Sequence, residues 1–123
     1  MFIIELEDLE FEVEVYGNEA AKALVASLPQ TISMSRWGGE YYGRLAISIP
    51  AKGEKRDSFD IGEVALWPPG NAFCIFFGPT PASTGTQPKM ASPGVPLGKI
   101  AADPSALNKL GSSLSKVILK QKE

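Results

Sequence analysis

Apolar and polar residues alternate one for one along "IIELEDLEFEVEVY", residues 3–16. Ile4 and Leu6, then Leu9, Phe11, Val13 and Val15, fall on one side, while Glu10, Glu12 and Glu14 fall on the other. That is the period of a half-buried strand pair, and Glu7-Asp8 predicts the reversal between them. In "GNEAAKALVASLP", 17–29, the period changes. Ala21, Leu24, Val25 and Leu28 recur at i, i+3, i+4 and i+7, which predicts a short helix. Asn18 is placed to cap its first amides, Glu19 suits the positive end of its dipole, and Pro29 stops it. The apolar stripe is narrow, so this helix is expected to plug the end of a β structure.

"TISMSRW" (31–37) and "EYYGRLAISI" (40–49) read as strands joined at Gly38-Gly39, a pair that tolerates a tight hairpin turn. "PAKGEKRDSFD" (50–60) has no period and predicts a charged surface loop. "GEVALW" (62–67) and "NAFCIFF" (71–77) predict two more strands, joined by Pro68-Pro69-Gly70-Asn71. Residues 78–94 carry four prolines and three glycines without a period, and connections this long are often functional. "VPLGKIA" (95–101) is a further strand. Asp103-Pro104 opens a second short helix with Ala106, Leu107 and Leu110 turned inward and Gly111 closing it. "SLSKVILKQKE" (113–123) is the final strand.

Eight short strands with two short helices predict a mainly β fold, a closed eight-stranded antiparallel barrel that leaves no sheet edge. Six of the fourteen acids lie in the first fourteen residues, while Lys116, Lys120 and Lys122 sit on the last strand. Pairing the first and last strands would set these charges against each other, at roughly 0.2–1 kcal/mol for each good pair.

Composition narrows the chemistry. With 123 residues the chain is expected to form one domain, 1–123. A net charge of −2 offers no field for nucleic acid or an anionic membrane, so neither is expected as a partner. One cysteine, Cys74, cannot make an internal disulfide, and no basic-then-apolar leader follows Met1; the expectation is a cytoplasmic protein. Without histidine there is no imidazole base and no Ser-His-Asp arrangement, and a single cysteine excludes a thiolate zinc site. Gly94-Val-Pro-Leu-Gly98-Lys99 has the wrong spacing for a phosphate loop and lacks the hydroxyl after the lysine. No metal or cofactor is expected.

Three stretches, "RWGGEYYG" (36–43), "IGEVALWPPGNAFCIFFGPTPAS" (61–83) and "GVPLGKI" (94–100), together with the order of elements, resemble a family of small, mostly uncharacterised prokaryotic cyclophilin-like proteins. The resemblance covers nearly the whole chain and implies the cyclophilin barrel. In true cyclophilins, prolyl isomerisation relies on an apolar proline pocket and an arginine that favours the twisted amide, for which Arg36 is the nearest counterpart. "CIFF" offers Phe76 or Phe77 for the pocket phenylalanine. "WGGEYYG" lacks the expected glutamine, Leu66-Trp67-Pro68-Pro69 stands where a small turn is expected, and the expected histidine is absent.

The candidate ligand-binding residues are therefore Arg36, Trp37, Trp67, Phe73, Phe76, Phe77, Thr80 and Met90, with Arg36 the one candidate catalytic group. "AFCIFF" is apolar on both faces, so it is either a central strand covered on both sides or a wall of a groove beneath residues 78–94. Trp37 and Trp67 are either barrel-end plugs, indole N–H to a loop carbonyl, or an aromatic platform. Arg36 and Arg44 are either exposed or, for Arg36, groove-facing. Cys74 reads as a small core side chain. The leading expectation is a binding domain that holds a peptide or small metabolite in an apolar groove with little or no catalysis. The alternatives are a peptidyl-prolyl isomerase using Arg36 and an accessory subunit that docks to a metabolic enzyme.

Overall fold

The computed structural model describes residues 1–122. The first alternating stretch folds as β1 (Phe2–Leu6) and β2 (Leu9–Val15), in register from Phe2↔Val13 to Leu6↔Leu9. Only Glu7-Asp8 lies between them, and Glu7 takes a left-handed φ of 50° to make the turn. Helix α1 (Glu19–Ala26) starts where Asn18 Oδ1 accepts the Ala21 N–H at 2.8 Å, and it buries Ala20, Ala21 and Leu24. Then come β3 (Gln30–Trp37), β4 (Glu40–Arg44), β5 (Arg56–Ser58), β6 (Glu63–Trp67), β7 (Ala72–Phe76), β8 (Lys89–Ile100) and β9 (Ser113–Gln121).

All pairings are antiparallel, and eight strands close in the order β2-β1-β9-β3-β4-β7-β6-β8, with β8 returning to β2. The first and last strands do pair, from Phe2↔Gln121 to Leu6↔Val117. Lys120 reaches Glu5 at 3.2 Å across this seam, and Lys122, just past β9, reaches Glu12 of β2 at 2.9 Å. Inside the ring, Phe2, Ile4, Val13, Leu24, Tyr41, Val64, Phe73, Ile75, Val95, Val117 and Leu119 are wholly buried. Leu107, from a 3-10 helix at Pro104–Lys109, joins this core, with Asp103 accepting the Ser105 N–H at 2.9 Å.

Three stretches depart from expectation, each for a local reason. Residues 45–49 leave the β4 ladder because their amides have other acceptors: Leu45 N–H bonds Asn71 O at 3.0 Å, and Ala46 N–H bonds Gln30 Oε1 at 2.7 Å. The "loop" 50–60 contains β5, which pairs with the early part of β8 at Arg56↔Gly94 and Ser58↔Lys89. The irregular stretch 78–94 ends six residues sooner than its composition suggests, since β8 begins at Lys89 and runs twelve residues. Of the strand's prolines, Pro93 lies in the irregular β5–β8 pairing between Lys89 and Gly94, and Pro96 lies where the β6–β8 register shifts between Val64 and Ala65.

A second, smaller core lies outside the ring. Ala65, Ala72, Cys74 and Phe76 project from the outer face of β6 and β7, and Phe59 and Met90 cover them, with Trp67 packed at the margin. Phe59 stacks on Phe76 with centroids 4.6 Å apart and planes 9° from parallel. "AFCIFF" is thus a strand covered on both sides: Phe73, Ile75 and Phe77 belong to the inner core, Ala72, Cys74 and Phe76 to the outer one. Among the described residues, no helix is long and apolar enough to cross a membrane.

Candidate functional site

Strand register alone brings one set of side chains to the outer face. The β3–β4 hairpin places Trp37 opposite Glu40, and β4–β7 pairing places Glu40 opposite Phe76 and Tyr42 opposite Cys74. Beyond β7, Trp67 stands opposite Ala72. Gly38 turns the hairpin with φ +61°. At Gly39 the backbone of Gly78 passes so close that a Cβ would collide with it. Three hydrogen bonds fasten this crossing: Gly39 N–H to Pro79 O (2.8 Å), and Phe77 N–H (2.8 Å) and Gly78 N–H (3.1 Å) to Gly39 O. The chain after β7 is therefore held against the hairpin, and its return along β8 sets Met90 and Ala91 over the outer face.

The result is a pocket of about 220 Å³ lined by Trp37, Glu40, Tyr42, Trp67, Met90 and Ala91. Tyr42, 40% exposed, stands at its mouth. The Trp67 indole N–H donates to Ser92 Oγ at 2.8 Å, which fixes the ring as one wall. Glu40 is the polar group of this lining that stands out. It is 4% exposed, and its Oε1 is buried without a hydrogen-bond partner. Burial pushes its pKa from 4.5 up to about 7, only partly offset by the neighbouring Cys74 thiol, whose own hydrogen-bond contact is to Ala72 O at 4.0 Å. Burial likewise pushes the Cys74 thiol well above its ordinary value, and the Glu40 carboxyl beside it adds to the effect.

A second buried glutamate shows what full compensation looks like. Glu63 Oε1 accepts from Arg56 Nη1 (2.8 Å) and the Asp60 N–H (2.7 Å), and its Oε2 accepts from Arg56 Nη2 (2.5 Å) and the Tyr16 hydroxyl (2.7 Å). Burial alone would push its pKa up, but these four donors hold it below 4.5. Burial and the Glu63 bond raise the Tyr16 hydroxyl to about 12. Arg56 also lies over the Phe59 ring at 4.9 Å, so this network ties β5 down on the outer core. Glu63 is a finished structural ion pair. Glu40 has no such partner.

The candidates read from the sequence divide between the two faces. Trp37, Trp67 and Met90 come together on the pocket, and Phe76 lies directly beneath it in the outer core. Arg36, Phe73 and Phe77 do not face it. Arg36 turns to the other side of β3, where its guanidinium donates to Gly38 O (2.8 Å), Asn108 O (3.0 Å) and Leu110 O (3.1 Å). It also lies 4.9 Å from the Phe77 ring centroid, so it plugs an end of the ring and is neither a simple surface arginine nor a groove-facing one. Phe73 and Phe77 are inner-core side chains. Thr80 is buried, and its hydroxyl donates to Lys89 O while its N–H bonds Ser83 Oγ at 2.9 Å; it pins the 80–89 turn. The Trp67 N–H finds a hydroxyl where a loop carbonyl was expected.

Glu40, Tyr42 and Ala91 are the lining residues that the sequence does not single out. Glu40, Tyr42 and Arg44 alternate with Tyr41 and Gly43, which is the pattern of a wet strand face. The available clue is the hairpin itself, since two residues between Trp37 and Glu40 force these side chains onto the same face. Among the described residues, no three Cys, Asp or Glu side chains come together in a way that could hold a metal ion.

Comparison with known proteins agrees with this architecture. A family profile described as Cyclophilin-like matches residues 1–120. The solution structure of the hypothetical protein AF2241 from Archaeoglobus fulgidus superposes with a TM-score of 0.82 at 30% sequence identity, covering 98% of this chain and 93% of that one. No curated protein matches the chain. With the family profile spanning both strands of the seam and every wall of the pocket, the chain belongs to the Cyclophilin-like family.

Proposed function

We propose that this domain is a binding module that holds a small molecule, or one side chain of a peptide, in the pocket between Trp37 and Trp67, without catalysis by Arg36. The observation that carries the reading is the unpartnered Glu40 carboxyl oxygen set in an aromatic-lined recess. A buried acceptor left without a donor costs about 1–3 kcal/mol, and natural cores leave few such groups. Concave, mostly apolar recesses with one placed polar group are the usual form of small-ligand sites. A perturbed acid in such a recess is the kind of group that marks function. The isomerase alternative needs a guanidinium beside the proline pocket, whereas Arg36 is committed to three carbonyls on the other face.

A fragment set screened by two-dimensional NMR tests the binding reading. Shifts confined to Trp37, Glu40, Tyr42, Trp67, Met90 and Ala91, and abolished in Trp67→Ala, support it. Shifts scattered over the surface, or none, refute it. For the alternative, X-Pro isomerisation is followed with the wild type and Arg36→Ala, and the expected result is no Arg36-dependent turnover. Rapid turnover lost in the variant would restore Arg36 as a catalytic residue.

A further inference from the structure

The walls of the pocket say what kind of ligand fits. We propose that its occupant is an organic cation with N–H donors, an alkylammonium or alkylguanidinium group, whose charge sits against the Glu40 carboxyl and whose carbon stem lies along the rings of Trp37 and Trp67. This rests on the pocket being a ligand site.

Three features point the same way. The six lining residues include one carboxyl and no lysine or arginine, so an anion would meet nothing of opposite charge. A purely apolar occupant would desolvate the Glu40 carboxyl further without giving it a donor. A cation with N–H groups supplies the missing donor, and indole and phenol ring faces attract cations through their quadrupoles. Size agrees as well. At about 220 Å³ the pocket is below the ~300–1,000 Å³ that drug-sized ligands occupy, so it fits a single headgroup with a short stem.

The pH dependence follows from the surroundings of Glu40. The titratable groups facing it are Cys74 from β7 and Tyr42 two residues along β4. From β8, Lys89 is turned to Asp57 at 3.9 Å, and Arg36 of β3 points to the other face. Glu40 loses its proton around pH 7, while an alkylammonium resembles lysine and keeps its charge to about pH 10. Uptake of the cation therefore strengthens as pH rises through 7.

The experiment titrates n-butylammonium, its neutral counterpart 1-butanol, and the neutral acceptor N-methylacetamide into wild type and Glu40→Gln, following pocket resonances at about pH 8 and pH 5.5. The ammonium is expected to bind the wild type at the higher pH about tenfold more tightly than the alcohol, the advantage of a charge-assisted bond. That preference is expected to shrink to about twofold at the lower pH and in Glu40→Gln. A second variant, Trp37→Leu, keeps apolar volume but removes a ring, and is expected to weaken both probes through the shared butyl stem, the ammonium about threefold more than the alcohol. A lysine-containing peptide that outcompetes free butylammonium would identify a side chain as the source of the cation; the reverse order would identify a free amine, and either supports the assignment. Equal binding of ammonium and alcohol, insensitive to Glu40→Gln, overturns the cation while leaving a ligand pocket. Tighter binding of the amide at the lower pH also overturns it, because Glu40 would then act as a protonated donor. If no probe shifts the pocket resonances, the ligand-site reading fails together with it.

Discussion

Replacing Glu40 by glutamine should make the protein more stable at neutral and alkaline pH and leave it nearly unchanged in acid. The side chains have almost the same shape, so the variant isolates the charge. In the folded protein Glu40 titrates near pH 7, against 4.5 when exposed. At ~1.36 kcal/mol for each tenfold change in proton affinity, that gap is on the order of 3 kcal/mol. The sign follows from proton counting. Between pH 4.5 and about 7 the folded state holds a proton that the unfolded state has released, so wild-type stability is full below 4.5, falls as pH rises through this window, and is level above it. Glutamine has nothing to titrate, and its profile lacks this fall. Other perturbed groups act elsewhere: Glu63 is held low and acts only in acid, whereas Tyr16 and Cys74 act in alkali. Urea denaturation of both proteins at half-unit steps from pH 4 to 8.5 reads the difference directly. The expected separation at pH 8 is about 3 kcal/mol, or roughly 10 °C in Tm for a domain of this size. Parallel profiles would show that the carboxyl is solvated. A variant less stable than wild type at pH 8 would show that the carboxylate already has a partner, and the argument for a ligand site would lose its foundation.

Removing the partner of the other buried glutamate should have the opposite pH signature. Arg56→Ala strands Glu63, whose side chain is 2% exposed against 39% for the arginine. The expected loss is about 2–3 kcal/mol at neutral pH, shrinking as pH falls through the low pKa of Glu63; a loss under 0.5 kcal/mol in denaturation at pH 7 would refute it. Cys74, 1% exposed, should react with a thiol reagent only after unfolding, and Cys74→Ala should cost about 1 kcal/mol by chemical denaturation. Rapid labelling of the folded protein would show that the outer core is open. Gly39→Ala drives a methyl group into the Gly78 backbone and should cost at least about 2 kcal/mol; a wild-type Tm would mean that the crossing of hairpin and loop is loose.

The ring was legible in the sequence because its first strands declare an inside and its ends carry opposite charges. Alternation in β1 and β2, the Gly-Gly turn and the charge asymmetry of the terminal strands were enough to pair the ends. Alternation also contained a lesson about the site. Neighbours on a strand point to opposite faces, so Arg36 cannot share a groove with Trp37, nor Phe77 with Phe76. What the sequence could not show was the cover on the outer face. Arg56–Ser58 is three half-buried residues with no apolar signal, and Glu40 is buried by a segment that returns only at Met90. Its setting is a tertiary property, invisible to any local pattern.

The outer core divides the molecule into parts of unequal persistence. Phe59, Met90 and β5 touch the ring from outside, and β5 is joined to the sheet only along the early part of β8. Arg56 grips Glu63 from there, and the Phe59 N–H hangs on Pro88 O at 3.0 Å. Lifting this layer breaks one short ladder and two ion pairs, Arg56–Glu63 and Lys89–Asp57, but none of the eight seams, so it is expected to open as a separate cooperative unit at an energy below that of the whole. Amide hydrogens at Phe59 and Ser58 should then exchange with solvent well before those of Ile4, Val117 or Ile75. Earlier exchange there would mean that the cover over the outer core opens while the ring stays shut.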